Sequence, residues 1–152
     1  MKKFELTSEF MTNIFGVKLF RIRALIEFGR VKAGDKGGFV EKEENLSQEG
    51  NAWVSGDARV SGDAEVSGNA RVFGDARVYG NADYATVKGF GRKNRNTTFF
   101  RCKDEKIRVV CGCFFGDLDE FREKVKQTHG DGKMAKEYLS IADLMEMHFC
   151  EE

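Results

Sequence analysis

Proline is missing altogether from these 152 residues, and there are only two histidines, His129 and His148. A chain without proline holds no polyproline linker, and it lacks the Pro- and Gly-rich composition of a disordered tract. Net charge is missing too: 25 basic side chains balance 25 acidic ones. That excludes a uniformly basic protein that coats nucleic acid, and an acidic solvating tail. There is no apolar run of 18 residues, so no membrane span is expected. Met1-Lys2-Lys3-Phe4-Glu5 leads into polar residues without an apolar h-region, so no signal peptide is expected. Only four cysteines are present, and without an export signal they read as free thiols in a reducing cytoplasm.

Glycine is what the sequence has in quantity, with 17 residues. Gly50, Gly56, Gly62, Gly68, Gly74 and Gly80 fall at intervals of six. Each is followed by Asp or Asn and then by alanine, and two residues later comes Val54, Val60, Val66, Val72, Val78 and finally Tyr84. On a strand, Ala and Val two apart face the same side, and the residue between them faces the other. Gly-Asp and Gly-Asn favour a corner, because both tolerate left-handed backbone. A short strand and a corner every six residues, with three sides per turn, resembles the hexapeptide-repeat, left-handed parallel β-helix. The expected fold is therefore mainly β: an N-terminal cap over 1–37, a short left-handed β-helix over 38–91 and a C-terminal α+β module over 92–152.

An 18-residue turn predicts which outward residues stack: Trp53 with Arg71, Arg59 with Arg77, and Glu65 with Asp83. Arg59 beside Arg77 is a like-charge pair, which calls for an anion or a carboxylate to bridge it. Trp53, Phe73 and Tyr79 are aromatics on the outer side or at corners of the repeat. They are expected to bury against another chain or a flanking segment, which marks them as partner- or oligomer-binding residues.

The flanks read as follows. Thr7 to Phe15 has the pattern of a short helix, and Val17 to Leu25 that of a strand. Thr97 to Cys102 and Ile107 to Phe115 read as two strands of a hairpin. Asp117 with Glu120 resembles a capping box, opening a helix that ends at His129-Gly130. Met134 to Phe149 carries apolar residues at helical spacing. The C-terminal third thus reads as a ββαα module.

Three stretches carry a family resemblance. The first is Leu19-Phe20-Arg21-Ile22-Arg23-Ala24-Leu25 with Val31 to Glu41. The second is Asn45-Leu46-Ser47 and the Gly-Asp-Ala-Arg-Val units. The third comprises Thr97 to Arg101, Cys111-Gly112-Cys113-Phe114, Glu120-Phe121, Thr128 to Asp131 and Ala135 to Tyr138. Together they are similar to the hexapeptide-repeat, "polymer-forming"-like proteins encoded in bacteriophages and prophages of Gram-positive bacteria. The resemblance implies a phage accessory protein that acts on host machinery in the host cytoplasm. It implies no known reaction.

Hexapeptide-repeat acyltransferases use a histidine base on or beside the coils, and here residues 50–85 contain none. Cys111-Gly112-Cys113 lacks a second ligand pair at zinc-finger spacing, so packing is expected there and no metal. A Cys111 or Cys113 nucleophile served by His129 is conceivable on composition alone. Anion binding has the strongest basis. Arg59, Arg71 and Arg77 lie in the repeat, and residues 86–101 hold Lys88, Arg92, Lys93, Arg95 and Arg101 with no acidic residue. Arg59, Arg71, Arg77, Arg92, Lys93 and Arg95 are the candidate anion-binding residues. Glu41, Glu43, Glu44, Glu49, Glu65 and Asp83 form a candidate acidic patch.

The sequence reading is a non-enzymatic binding protein without cofactor, catalytic residue or resident metal. It forms a homo-oligomer, a dimer or trimer, and blocks a host factor in the manner of an anti-defence, anti-CRISPR-like inhibitor. Its partner would be a host protein such as a defence nuclease. The alternatives are a binder or sponge of a small anion or signalling nucleotide, and an acyltransferase.

Overall fold

The computed structural model describes residues 2–93 and 95–150. It begins with a hairpin, β1 (Phe4–Thr12) and β2 (Lys18–Ala24), to which β3 (Lys36–Val40) adds. Four two-residue strands follow: β4 (Trp53–Val54), β5 (Arg59–Val60), β6 (Arg71–Val72) and β7 (Arg77–Val78). Then come β8 (Tyr84–Phe90), β9 (Arg95–Arg101), β10 (Ile107–Cys111), β11 (Phe114–Asp117) and the helices α1 (Leu118–His129) and α2 (Lys133–Phe149). Three sheets result: a mixed one ordered β1-β2-β3-β5-β7, a parallel pair β4-β6, and an antiparallel one ordered β11-β10-β9-β8.

The six-residue unit acts as its chemistry requires, up to a point. Val54, Val60, Val66, Val72 and Val78 have no exposed surface, and Ala52, Ala58, Ala64, Ala70 and Ala76 have at most 1%. The corner glycines from Gly50 to Gly74 take φ of 64–72°, a region that a side chain strains to enter. Trp53 pairs in parallel register with Arg71, and Arg59 with Arg77, each 18 residues apart.

The left-handed β-helix expected from the repeat is not what forms. The strands fall into one mixed, one parallel and one antiparallel sheet, and among the described residues no closed or continuously coiled solenoid is present. Two of the three expected faces build strands, but the third is reduced to one bridge, Leu46 to Val66. The expected stack of Glu65 and Asp83 is absent from the pairing: Asp83 ends a 3₁₀ turn, Asn81–Asp83. The sixth unit explains the break. Gly80 has an extended backbone with φ of −171°, so it makes no left-handed corner, and Ala82 is exposed. Tyr84 stands where the other units have valine, too large for the slot that takes two methyl groups. It stays half-buried, and its hydroxyl donates to the Glu65 carbonyl. The chain leaves as β8, antiparallel to β9.

A second correction concerns the N-terminus. Thr7 to Phe15 is not a helix: Phe4–Thr12 is β1. Cross-strand pairing overrides the local pattern. The turn is built by Asn13, whose Oδ1 accepts from the backbone N–H groups of Phe15 and Val17. The strand is moored by Lys3, which is only 1% exposed. Its ammonium donates to the Ala52 carbonyl at 2.8 Å and, at 3.4–3.5 Å, to those of Gly50 and Glu49. It also lies 4.7 Å from the Phe28 ring centroid.

The C-terminal module holds three strands before its helices, because Gly112-Cys113 turns the run Ile107 to Phe115 back on itself, and β8 from the end of the repeat joins their sheet. Asp117 caps α1 as its spacing predicts: its Oδ1 accepts from the Glu120 N–H at 2.8 Å, while Glu120 Oε1 accepts from the Asp117 N–H. Buried side chains form two apolar clusters. One gathers the repeat interior with Phe4, Ile22 and Phe100; the other gathers Phe99, Val109 and the inner faces of both helices. Among the described residues, no helix is long and apolar enough to cross a membrane.

Candidate functional site: an arginine cleft without carboxylates

The turn Gly112-Cys113 organises the surface of interest. Gly112 has φ of +60° and Cys113 has none of that left-handed character, the pattern of a two-residue II′ hairpin with glycine first. The Gly112 carbonyl accepts from Arg71 Nη2 at 2.6 Å, drawing β6 to the turn. The Arg95 guanidinium lies against the Gly112 Cα: a Cβ there would stand 2.0 Å from Arg95 Nη1. One glycine thus seats two arginines from distant parts of the sequence.

A third arginine completes the group. Phe28 and Val31 bridge each other in a tight loop, with Phe28 edge-on to Trp53 at 5.3 Å, and this loop carries Arg30. Arg30, Arg71 and Arg95 line a cavity of about 560 Å³ together with Asn51, Asn69, Asn96, Ser55, Trp53 and Phe73. No carboxylate lines it among the described residues. Burial first, and then the charge of Arg30, hold the Arg71 guanidinium below the usual arginine range, with Arg95 adding to this effect.

The ion pairs sharpen the contrast. Arg21, Arg23, Arg101, Arg108 and Arg122 each meet a carboxylate within 4 Å. Arg30, Arg71 and Arg95 are in none of the ion pairs among the described residues. Three like charges around one cavity repel, and no carboxylate in its lining offsets them.

A second cavity of about 370 Å³ adjoins the first and shares Arg95. Arg92 and Lys93 from the loop after β8, and Lys124 from α1, supply its cations. His129 lies over Tyr138 with centroids 5.8 Å apart, and both line it with Cys111 and Cys113. Burial, and then Cys111, push the Tyr138 hydroxyl up to about 12, so it stays protonated at neutral pH. Cys113 is exposed at the turn and Cys111 ends β10, so the two thiols do not share one strand face. Among the described residues no cluster of three or more His, Cys, Asp or Glu side chains is placed to hold a metal ion.

The six sequence-nominated cations therefore divide into three groups. Arg71 and Arg95 meet in the first cavity, and Arg92, Lys93 and again Arg95 in the second. Arg59 and Arg77 lie apart from both, paired in register on β5 and β7 of the mixed sheet. Arg77 is only 7% exposed and donates to the carbonyls of Asp57 and Ala76 at 2.9 Å. Burial and then Arg59 lower its pKa. Arg101 pairs with Asp83 at 3.0 Å, away from the basic loop it was grouped with.

Of the nominated aromatics, Trp53 is 8% exposed and packs edge-on against Phe4 and Phe28 of the flanking segments. Phe73 packs on Phe115 at 4.6 Å and on Phe100 at 6.2 Å. Tyr79 is 39% exposed, beside Phe15. In the acidic set, Glu43, Glu44 and Glu65 border one groove, and Glu43 pairs with Lys2 at 2.8 Å.

Arg30, Asn51 and Asn69 were not anticipated as site residues. The asparagines did leave a signal. Asn51 and Asn69 are corner residues 18 apart, and the next row carries Asp57 and Asp75 instead. Asparagine rather than aspartate on one row is what keeps the cleft free of carboxylates. No protein-family model and no curated protein matches this sequence.

Proposed function

We propose that this chain is a non-enzymatic binding protein whose arginine cleft takes a small organic phosphate. The observation that carries the reading is the gathering of Arg30, Arg71 and Arg95, without a carboxylate, around one cavity. Arginine forks suit phosphate oxygens, the asparagine amides suit sugar or base edges, and Phe73 with Trp53 supplies an apolar wall. AMP at 100 times its Kd would stabilise the fold by about 2.7 kcal/mol. For a chain of this size that is a rise in Tm of about 5–10 °C. Arg71→Ala, which leaves the valine interior untouched, is expected to abolish the rise. If inorganic phosphate, AMP and ATP all leave Tm unchanged, the reading fails.

A second reading rests on a different surface. Ile14 and Phe15 are 88% and 70% exposed, and Phe15 meets Tyr79 edge-on at 5.9 Å. Exposed apolar side chains gathered in one place favour a protein interface, either a second copy of the chain or a host factor. On this reading the chain is the phage-encoded inhibitor, acting in the host cytoplasm, that its family resemblance suggests. Expressed in a Gram-positive host with active CRISPR immunity, it would restore phage plaquing, and Phe15→Ser with Tyr79→Ser would remove that rescue. Unrestored plaquing counts against it.

A further inference from the structure

The two basic cavities lie on two sides of one residue. Arg95 lines both, and the absence of a side chain at Gly112 is what lets its guanidinium sit between them. Each cavity has its own cations beyond Arg95, namely Arg30 and Arg71 on one side and Arg92, Lys93 and Lys124 on the other. Each also has aromatic lining, Phe73 in the first and Phe114 with Tyr138 in the second. Neither is lined by a carboxylate among the described residues. At about 560 and 370 Å³, each has room for a phosphate with an attached ring system.

We propose that the two cavities are halves of one bipartite site for a single small molecule of the dinucleotide class, with one phosphate in each half and Arg95 serving both. The inference rests on the phosphate reading of the arginine cleft. A one-phosphate ligand would satisfy one half and leave the cations of the other without a counter-charge. A ligand that fills both gains from linkage, because its second phosphate is delivered at high effective concentration.

Isothermal titration separates the possibilities, with AMP and the linear dinucleotide pApA as probes. The expected result is one pApA per chain, bound at least tenfold more tightly than AMP, and two AMP per chain. Arg92→Ala with Lys124→Ala is expected to lower the AMP stoichiometry to one and to erase most of the advantage of pApA. Both residues are exposed, and an unchanged far-ultraviolet spectrum and melting curve would show that the variant folds. Equal affinity for pApA and AMP, or a pApA affinity unmoved by the double variant, overturns the bipartite site and leaves the cleft reading standing. No heat with either probe, and no thermal shift with phosphate or ATP, overturns both. Affinity that keeps rising from pApA to a ten-residue oligonucleotide overturns the small-molecule assignment in favour of a single-strand groove.

Discussion

Lys3 carries an ammonium into the interior and surrounds it with backbone carbonyls. Burial pulls its pKa down to about 8 from a usual value near 10.5. Below pH 8 the lysine is charged in both the folded and the unfolded chain. Between pH 8 and 10.5 the folded chain gives up this proton while the unfolded chain keeps it. The unfolded state then binds more protons, so the Lys3 contribution makes stability rise with pH in that window. Urea unfolding of wild type and Lys3→Met at pH 7.5 and 9.5 tests this. The stability difference, wild type minus variant, should grow with pH, and a constant difference would refute the assignment. The comparison with Lys3→Met is needed because burial also raises the Cys102 thiol, to about 11, and that group acts in the opposite direction above pH 9. Nothing in the sequence separates Lys3 from Lys2, one buried and the other exposed. Their difference depends on where the repeat's first corner presents its carbonyls. Arg30 was equally silent, since its role comes from a loop that folds back over Trp53.

At the scale of elements, the repeat was legible because six residues suffice to define a strand and a corner. Alanine and valine interiors and left-handed glycines follow directly from that spacing. How the units assemble was less legible. The same spacing predicted a regular left-handed coil, whereas one tyrosine and one extended glycine at the sixth unit redirect the chain into an antiparallel sheet. The β10–β11 turn was hidden for a chemical reason. Gly112-Cys113 is not one of the Asn-Gly, Asp-Gly or Gly-Ser pairs that announce a two-residue hairpin. That turn makes a prediction of its own. Gly112→Ala places a side chain at φ of +60° and against Arg95, which costs about 1–3 kcal/mol in backbone strain. Gly16→Ala imposes similar strain at φ of +81° with no atom within 4 Å. Titration with AMP should find affinity reduced at least fivefold by the first and unchanged by the second. Equal effects would detach the turn from the site.

The whole molecule is joined by the sheet that holds β9 and β10, where Val109 and Val110 of β10 also divide between the two clusters. In β9, Phe99 belongs to the cluster under the helices and Phe100 to the cluster inside the repeat, because successive side chains point to opposite faces. A wall common to two cores ties their unfolding together. Val60→Ala in one core should cost roughly 2 kcal/mol, and Phe121→Ala in the other about 3–5 kcal/mol. Each should lower a single shared transition, by several degrees at least, in both near- and far-ultraviolet circular dichroism. Two separated transitions would show that the cores melt independently.

The 18-residue register of Trp53 with Arg71 and Arg59 with Arg77 also bears on heredity. Tandem coding repeats invite slippage during replication, and this register sorts the products. Loss or gain of three units returns every downstream residue to its own row, whereas loss of a single unit between Asn51 and Asn69 brings Asp75 to the place of Asn69. The cleft would then receive the carboxylate that its row excludes, so lineages of this gene should change length in steps of three units.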